Sequence, residues 1–281
     1  MRIAVLVTCF NRVDVTLRGI DSLVRSLNAC AELDYKIFLV DDGSSDGTGV
    51  QVKRLFPFVE VSVGSGELYW SGGMTRAFRA ASAHAPFDAY LLFNDDVDLF
   101  EVEIPRFHTT YQRLNEAHPS ILVGACVDLR GNVTYAGFRL GSPLRVLDFK
   151  RVEPVDSPVP CDTFNANFVL IPGRFFEEVG GLDPAYSHSY ADIDLGLVAG
   201  KLGVPSFVYE LPVGVCEKNV PLNVKIRLGG MRDRWKLLFR HPYGLGPYFH
   251  FAWKHRPRWA FPLISMLQIS KRLLLLAGLS R

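Results

Sequence analysis

"AYLLFNDDVDLF", residues 89–100, runs a stretch of apolar residues into Asp95, Asp96 and Asp98. Carboxylates this close repel one another unless water or a cation takes up the charge. The apolar half reads as a buried strand, and the stretches before it repeat the pattern. "RIAVLVT" (2–8) is a first strand, followed by Ile20, Leu23, Val24 and Leu27 at helical spacing. "YKIFLVDDGSSDGTG" (35–49) is a second strand breaking into a polar turn, with a helix to about Phe56. "VEVSVG" (59–64) is a third strand, and "SGGMTRAFRAASAH" (71–84) reads as a helix opened by two glycines. Strands alternating with helices predict an α/β fold with a parallel, doubly wound sheet. In such sheets ligands gather beyond the carboxyl ends of the strands. The polar loops "TCFNR", "DDGSSDGT", "GELYWSGG" and "NDDVD" all fall there, so the spacing predicts a site along that edge.

From about Ile121 the strands shorten and the turns become Gly-rich: "ILVGACVD", "NVTYAGFRL", "FNANFVLIP". A helix "GRFFEEVGG", the stretch "LDPAYSHSYADIDLGLVAGKLG" and a strand "VPSFVYEL" follow. The reading is one domain over 1–217, with halves at about 1–120 and 121–217, and an extension over 218–281. Charge separates the two parts. Residues 1–217 carry 18 Lys/Arg against 28 Asp/Glu, and residues 218–281 carry 13 Lys/Arg against Asp233 alone. The five cysteines are scattered without a CxxC pair, which points to a reducing cytoplasm and no zinc site. "MRIAVLVTCFNR" is too short an apolar run for a secretory signal and is expected to be a strand.

Each polar constellation has a simple reading beside a functional one. Asp and Ser in "VDDGSSDGT" (40–48) either cap the next helix or offer a carboxylate to a base or ribose. "NDDVD" (94–98) is either a capping turn or a hard-cation site, with Asp96 as ligand and Asn94 or Asp98 assisting. Asp192 and Asp194 open a helix in "SYADIDLGLVAGKLG"; they are caps, or one is a general base. His188 reads as a turn histidine or a ligand. Gly72 and Gly73, beside Tyr69 and Trp70, allow a phosphate or sugar close to backbone amides. Neither a GxxxxGK[ST] loop nor a GxGxxG fingerprint is present.

Taken in order, "VTCFNR", "LVDDGSSDGT", "YWSGGMTRA", "LLFNDDVDL", "FVLIPGRFFEEVGGLDP" and "SYADIDLGLVAGKLG" resemble the family 2 glycosyltransferases of GT-A fold, most of all their bacterial rhamnosyltransferase-like branch. The resemblance spans residues 3 to about 210. It implies that Thr8, Asn11, Asp41 and Asp42 contact the nucleotide, with Gly72 and Asp95 added to that set. It implies that Asp96, with Asn94, carries Mg2+ or Mn2+ and the diphosphate, and that Asp192 is the base of an inverting transfer. Trp70, Asn165, Asn167 and His188 are candidates for the sugar or acceptor. The sequence departs from the family at Ala191, where a Glu is usual, and at Val198, where an Arg is usual. No histidine near "VGVCEKN" supplies a third metal ligand. The implied donor is a dTDP- or UDP-sugar, dTDP-rhamnose by branch analogy. The implied acceptor is a hydroxyl of a saccharide or lipid-linked saccharide in bacterial surface polysaccharide synthesis. The competing classes are a non-catalytic sugar-nucleotide-binding subunit and a nucleotidyltransferase.

The extension contains "MRDRWKLLFRHPY" and "FAWKHRPRWAFPLISMLQISKRLLLLAGL". It reads as basic amphipathic helices, either packed on the domain or attached to anionic lipid. Pro262 and Lys271–Arg272 are expected to interrupt the apolar run and argue against a membrane span. Lys254, Arg256, Arg258, Lys271 and Arg272 are the charges expected to face lipid. No nucleic-acid-binding motif accompanies them. The expected location is cytoplasmic, peripheral on the inner face of the cytoplasmic membrane.

Overall fold

Along the first strand, Ala4 and Leu6 point into one apolar cluster while Val5 and Val7 point into another. Period-two alternation with both faces apolar is what a strand sandwiched between two helical layers requires. The computed structural model describes residues 1–281 apart from 85, 143–144, 187, 220–223, 225, 227, 240–243 and 279–281. The last residues of "MRDRWKLLFRHPY" therefore lie outside the described residues.

The strands are β1 Arg2–Cys9, β2 Asp34–Asp41, β3 Glu60–Val63, β4 Ala89–Asn94, β5 Asp98–Leu99, β6 Ile121–Val127 and β7 Val133–Tyr135. Six more follow: β8 Gly137–Leu140, β9 Phe149–Arg151, β10 Val159–Cys161, β11 Thr163–Phe164, β12 Phe168–Pro172 and β13 Ser206–Val215. The main sheet runs β10-β13-β6-β12-β4-β1-β2-β3, with β5 paired to β13 and β7 to β6. Strands β3, β2, β1 and β4 are mutually parallel, as the alternation predicts. The sheet as a whole is mixed. β12 is antiparallel to both β4 and β6, while β13 and β6 run parallel.

The reversal of β12 shapes the site. Phe168, at the start of β12, pairs with Phe93 near the end of β4. The Asn94 amide donates to the Asn167 carbonyl at 2.9 Å. The loop entering β12 thus lies on the same edge as the loops leaving β1, β2 and β4.

Helices α1 Val13–Asn28, α2 Thr48–Leu55, α3 Tyr69–Ser82, α4 Glu103–Ala117, α5 Gly173–Glu178 and α6 Ala191–Lys201 cover the faces. The expected glycine-opened helix in fact begins at Tyr69, so Gly72 and Gly73 sit within α3. A Cβ on Gly73 would collide with the Thr8 hydroxyl of β1, so this glycine sets how closely helix and strand approach. Gly73→Ala is expected to cost about 1–3 kcal/mol in a urea melt, since the added methyl overpacks a buried contact. Gly72→Ala, whose methyl meets only the Leu68 side chain, is expected to be close to neutral.

The extension forms α7 Met231–Phe239, α8 Leu245–His255 and α9 Phe261–Leu276. Tyr248, Phe251 and Ala252 of α8 are buried in the cluster that also holds Leu6 and Phe176. Lys254 donates to Asp183 at 2.7 Å and to Asp194 at 2.8 Å, and His255 pairs with Asp194 at 2.6 Å. Arg256 donates to the Val146 carbonyl and Arg272 to that of Gly244. Three of the five charges expected to face lipid, Lys254, Arg256 and Arg272, are therefore spent on contacts within the protein. Pro262 also departs from expectation. It falls in the first turn of α9, where a missing N–H leaves no hydrogen bond unmade, so it opens the helix. With the turn before it, Arg258–Leu276 is 19 residues and contains an 18-residue window of mean hydropathy 1.2, long and apolar enough to cross a membrane by length and composition.

Candidate active site

A cleft of about 610 Å3 opens along the edge where the loops meet. Its walls include Thr8, Arg12, Asp42, Trp70, Asn94, Asp95, Asp96, Asn165, Asn167, His188 and Asp192. Most of the residues singled out in the sequence thus converge on one cavity. Asn11, Asp41 and Gly72 are not among its lining residues.

The DDGS carboxylates are engaged by backbone. Asp41 accepts from the amides of Ser44 and Gly49, closing the turn onto the start of α2. Asp42, which does line the cleft, accepts from Gly66, Leu68 and Tyr69 at 2.9 Å each and so caps α3. Asn11 receives the Ser45 amide at 2.8 Å and ties the first loop to the second. Asp42 thus lines the cleft while Asn11 and Asp41 brace the loops behind it, and for Asp41 the simple capping reading is what the geometry displays.

The "NDDVD" loop is held from beneath by α1. Thr16 donates to Asp95 at 2.6 Å, Ser22 accepts from the Leu99 amide at 2.7 Å, and Gly19 leaves room for the Asp95 backbone. Arg12, at the head of α1, donates to Asp95 and to Asp96 at 3.3 Å each. Burial pushes the Asp95 carboxyl up to about 6, against the opposing pull of Arg12 and Thr16. Asn94 gives its side-chain oxygen to the Trp70 indole N–H at 2.7 Å, which fixes the ring at the cleft wall. Asp98 points away to solvent on β5, so the assisting role offered to it has no geometric basis. Asp96 is left as the half-buried carboxylate of this loop, with Arg12 on one oxygen and the Cys216 thiol 3.6 Å from the other.

Asp192 lines the same cleft from the first turn of α6. Its carboxylate receives the Ile193 amide at 2.9 Å, the Ala166 amide at 3.3 Å and the Asn165 side chain at 3.4 Å. Burial raises its carboxyl above the usual range in spite of these donors. Asp194, two residues on, faces away from the cleft into the Lys254–His255 contact. Tyr190, immediately before the helix, holds φ at +77° and packs against Phe251 and Tyr186. Among the described residues the non-glycine positive-φ positions are Asn11, Tyr69 and Tyr190. Tyr69 and Tyr190 line the cleft and Asn11 belongs to the loop beside it, so the backbone strain gathers at the site.

Several site residues escaped the sequence reading: Arg12, Thr16, Tyr135, Tyr190 and Cys216. Arg12 stood in the quoted loop "TCFNR", and the buried stripe Thr16, Gly19, Ser22 on α1 was its structural companion. Tyr135 and Cys216 arrive from strands whose pairing no local pattern discloses.

The cleft lies beyond the carboxyl ends of the parallel strands, where α/β sheets gather their ligands. The profile described as Glycosyl transferase family 2 matches residues 4–166, and the chain belongs to that family, whose members transfer a sugar from a nucleotide sugar. No curated protein matches the chain. Among solved structures it is similar to a mannosyltransferase, PcManGT from Pyrobaculum calidifontis in complex with GDP-Man and Mn2+, at 15% identity. That likeness covers 96% of this chain and 74% of the other, with a TM-score of 0.50. It is also similar to S. aureus TarS (residues 1–349) at 11% identity, over 99% and 83% of the two chains, with a TM-score of 0.52. At such identities the likeness is one of fold.

Proposed function

We propose that the chain is an inverting glycosyltransferase in which Asp192 deprotonates an acceptor hydroxyl and Asp96, assisted by a divalent cation, holds the diphosphate of the donor. The observation that carries this reading is the pair of carboxylates, Asp96 and Asp192, lining one cleft from the loop after β4 and from α6. A single displacement needs one base and one cationic anchor for the leaving group, and no second carboxylate as nucleophile.

The donor set fits a hard cation in a reduced form. Among the described residues no three His, Cys, Asp or Glu side chains converge as a cage. Asp95 is buried and held by Thr16 and Arg12, and Asn94 is bound to Trp70; Asp96 shares Arg12 but is the more exposed of the two carboxylates, so it is the one available. Mg2+ and Mn2+ accept one or two carboxylates when phosphate oxygens and water complete the shell. When bound, the cation supplies positive charge to the departing diphosphate. Arg12 supports the same task from the protein side: its guanidinium neutralises Asp95 and Asp96 and lies at the cleft wall.

Asn165 and the Ala166 amide orient the Asp192 carboxylate, and its raised pKa suits a group that must accept a proton near neutral pH. Tyr69, Trp70, Tyr135 and Tyr190 give the cleft aromatic walls, which support a saccharide acceptor. The lipid-linked form of that acceptor, and dTDP-rhamnose as donor, rest on the sequence resemblance alone. A panel of dTDP-, UDP- and GDP-sugars titrated calorimetrically tests the donor. Asp96→Ala is expected to abolish Mn2+-dependent binding of the preferred donor while leaving the melting temperature within a few degrees of wild type. Equal, chelator-resistant donor binding by Asp96→Ala would remove Asp96 from the anchor. Donor binding by the wild type without transfer to any acceptor would favour the non-catalytic subunit.

A further inference from the structure

Helix α9 is buried along one side only. Ile264 and Arg272 face the protein, whereas Leu263, Met266, Leu267, Leu273 and Leu274 are each about half exposed or more, between 48% and 59%. At 100° per residue these five, with Ile269, span an arc of about 160°. Just before the helix, Trp259 is 73% exposed, and Arg258 lies over the exposed Trp253 ring at 5.4 Å. Lys271 is exposed at the margin of the arc. On α7, which packs against α9, Arg232, Trp235 and Lys236 are exposed as well.

We propose that this face docks on the surface of an anionic lipid bilayer. An apolar arc with tryptophans at its end and cations at its margins matches the interface between acyl chains and headgroups. Charge decides between occupants. The exposed cations named here, Arg232, Lys236, Arg258 and Lys271, outnumber the exposed Asp233 of α7, so a second copy would bring like charge against like. Anionic headgroups bring the complement. A transverse helix is disfavoured by the same contacts that bury Arg272, because crossing the bilayer would strip α9 from α7 and α8. The inference stands apart from the active-site reading: it needs neither donor nor acceptor, although it would place the cleft near a lipid-linked substrate.

Co-sedimentation of the full chain with phosphatidylcholine vesicles, with and without phosphatidylglycerol, tests it. The wild type is expected to pellet with the anionic vesicles, to bind at least tenfold less to the neutral ones, and to be released by salt and by alkaline carbonate. Leu263→Gln, Leu267→Gln and Leu274→Gln together, all at exposed positions, are expected to melt as the wild type and to bind at least tenfold more weakly. Wild-type binding by that variant overturns the proposal, as does a wild type that stays soluble beside anionic vesicles. Carbonate-resistant association would overturn it by assigning the helix to a membrane span. A wild-type dimer in sedimentation equilibrium that the triple variant abolishes would overturn it by assigning the face to a second copy.

Discussion

Asp192→Asn is expected to lower sugar transfer by about 10²–10⁴-fold, the usual contribution of a general base. The amide keeps the size of the side chain, and its one oxygen can still accept the Ile193 amide at the start of α6, so the helix should remain in place while the longer contacts from Ala166 and Asn165 to the other oxygen are lost. Donor affinity should barely change, because the diphosphate anchor belongs to the loop after β4. The pH profile gives a second handle. A base works deprotonated, so activity falls as pH drops through its pKa, and burial places the Asp192 acid limb above the ordinary carboxylate range. Asp192→Asn should remove that limb from what activity remains. Asp95, whose carboxyl burial pushes up to about 6, is the residue to substitute next if a limb persists near that pH. Wild-type transfer by Asp192→Asn would take the base away from this residue.

The second large effect is expected at Asp194, and it is one of stability. Asp194 is 3% exposed and accepts from Lys254, His255 and Tyr186, so it joins α6 to α8. Burial keeps His255 below its ordinary pKa, and the neutral ring donates its Nε2–H to the carboxylate. Asp194→Ala leaves these buried donors unanswered, at a cost of about 3 kcal/mol. Lys254 is about a third exposed and keeps Asp183, which holds the figure at the lower end of the range. The melting temperature should fall by roughly 5 °C. Transfer per folded molecule should drop far less than for Asp192→Asn. The two aspartates, two residues apart on one helix, thus separate by assay: one moves the rate and the other the melting curve. A variant of Asp194 that melts normally would contradict the clamp.

Much of this was legible in the sequence because local chemistry dictated it. The runs in β1, β2 and β4 are apolar on both faces, and polar loops follow each of them, so the parallel half of the sheet and its functional edge could be read directly. The reversal of β12 could not. "FVLIP" is equally apolar in either direction, and only its pairing with Phe93 turns its leading loop toward the cleft. Asp41 and Asp42 illustrate a second limit: a carboxylate at a strand end serves a helix cap or a ligand with the same residue type, and its partners lie 3 to 27 positions away. The extension illustrates a third. Its charge count was plain, but composition does not tell a cation on the surface from one such as Lys254, whose partner acids sit 60 and 71 residues earlier. Pro262 read as a break because its place in a first turn depends on where the helix begins.

The most direct test follows the anomeric centre by NMR while the wild-type enzyme, Mn2+, the donor chosen by calorimetry and a saccharide acceptor react. Direct displacement with Asp192 as base predicts a glycoside of inverted configuration, formed with one equivalent of nucleoside diphosphate and suppressed about a hundredfold or more by Asp192→Asn. A product of retained configuration, or inverted product formed at the wild-type rate by Asp192→Asn, would contradict it.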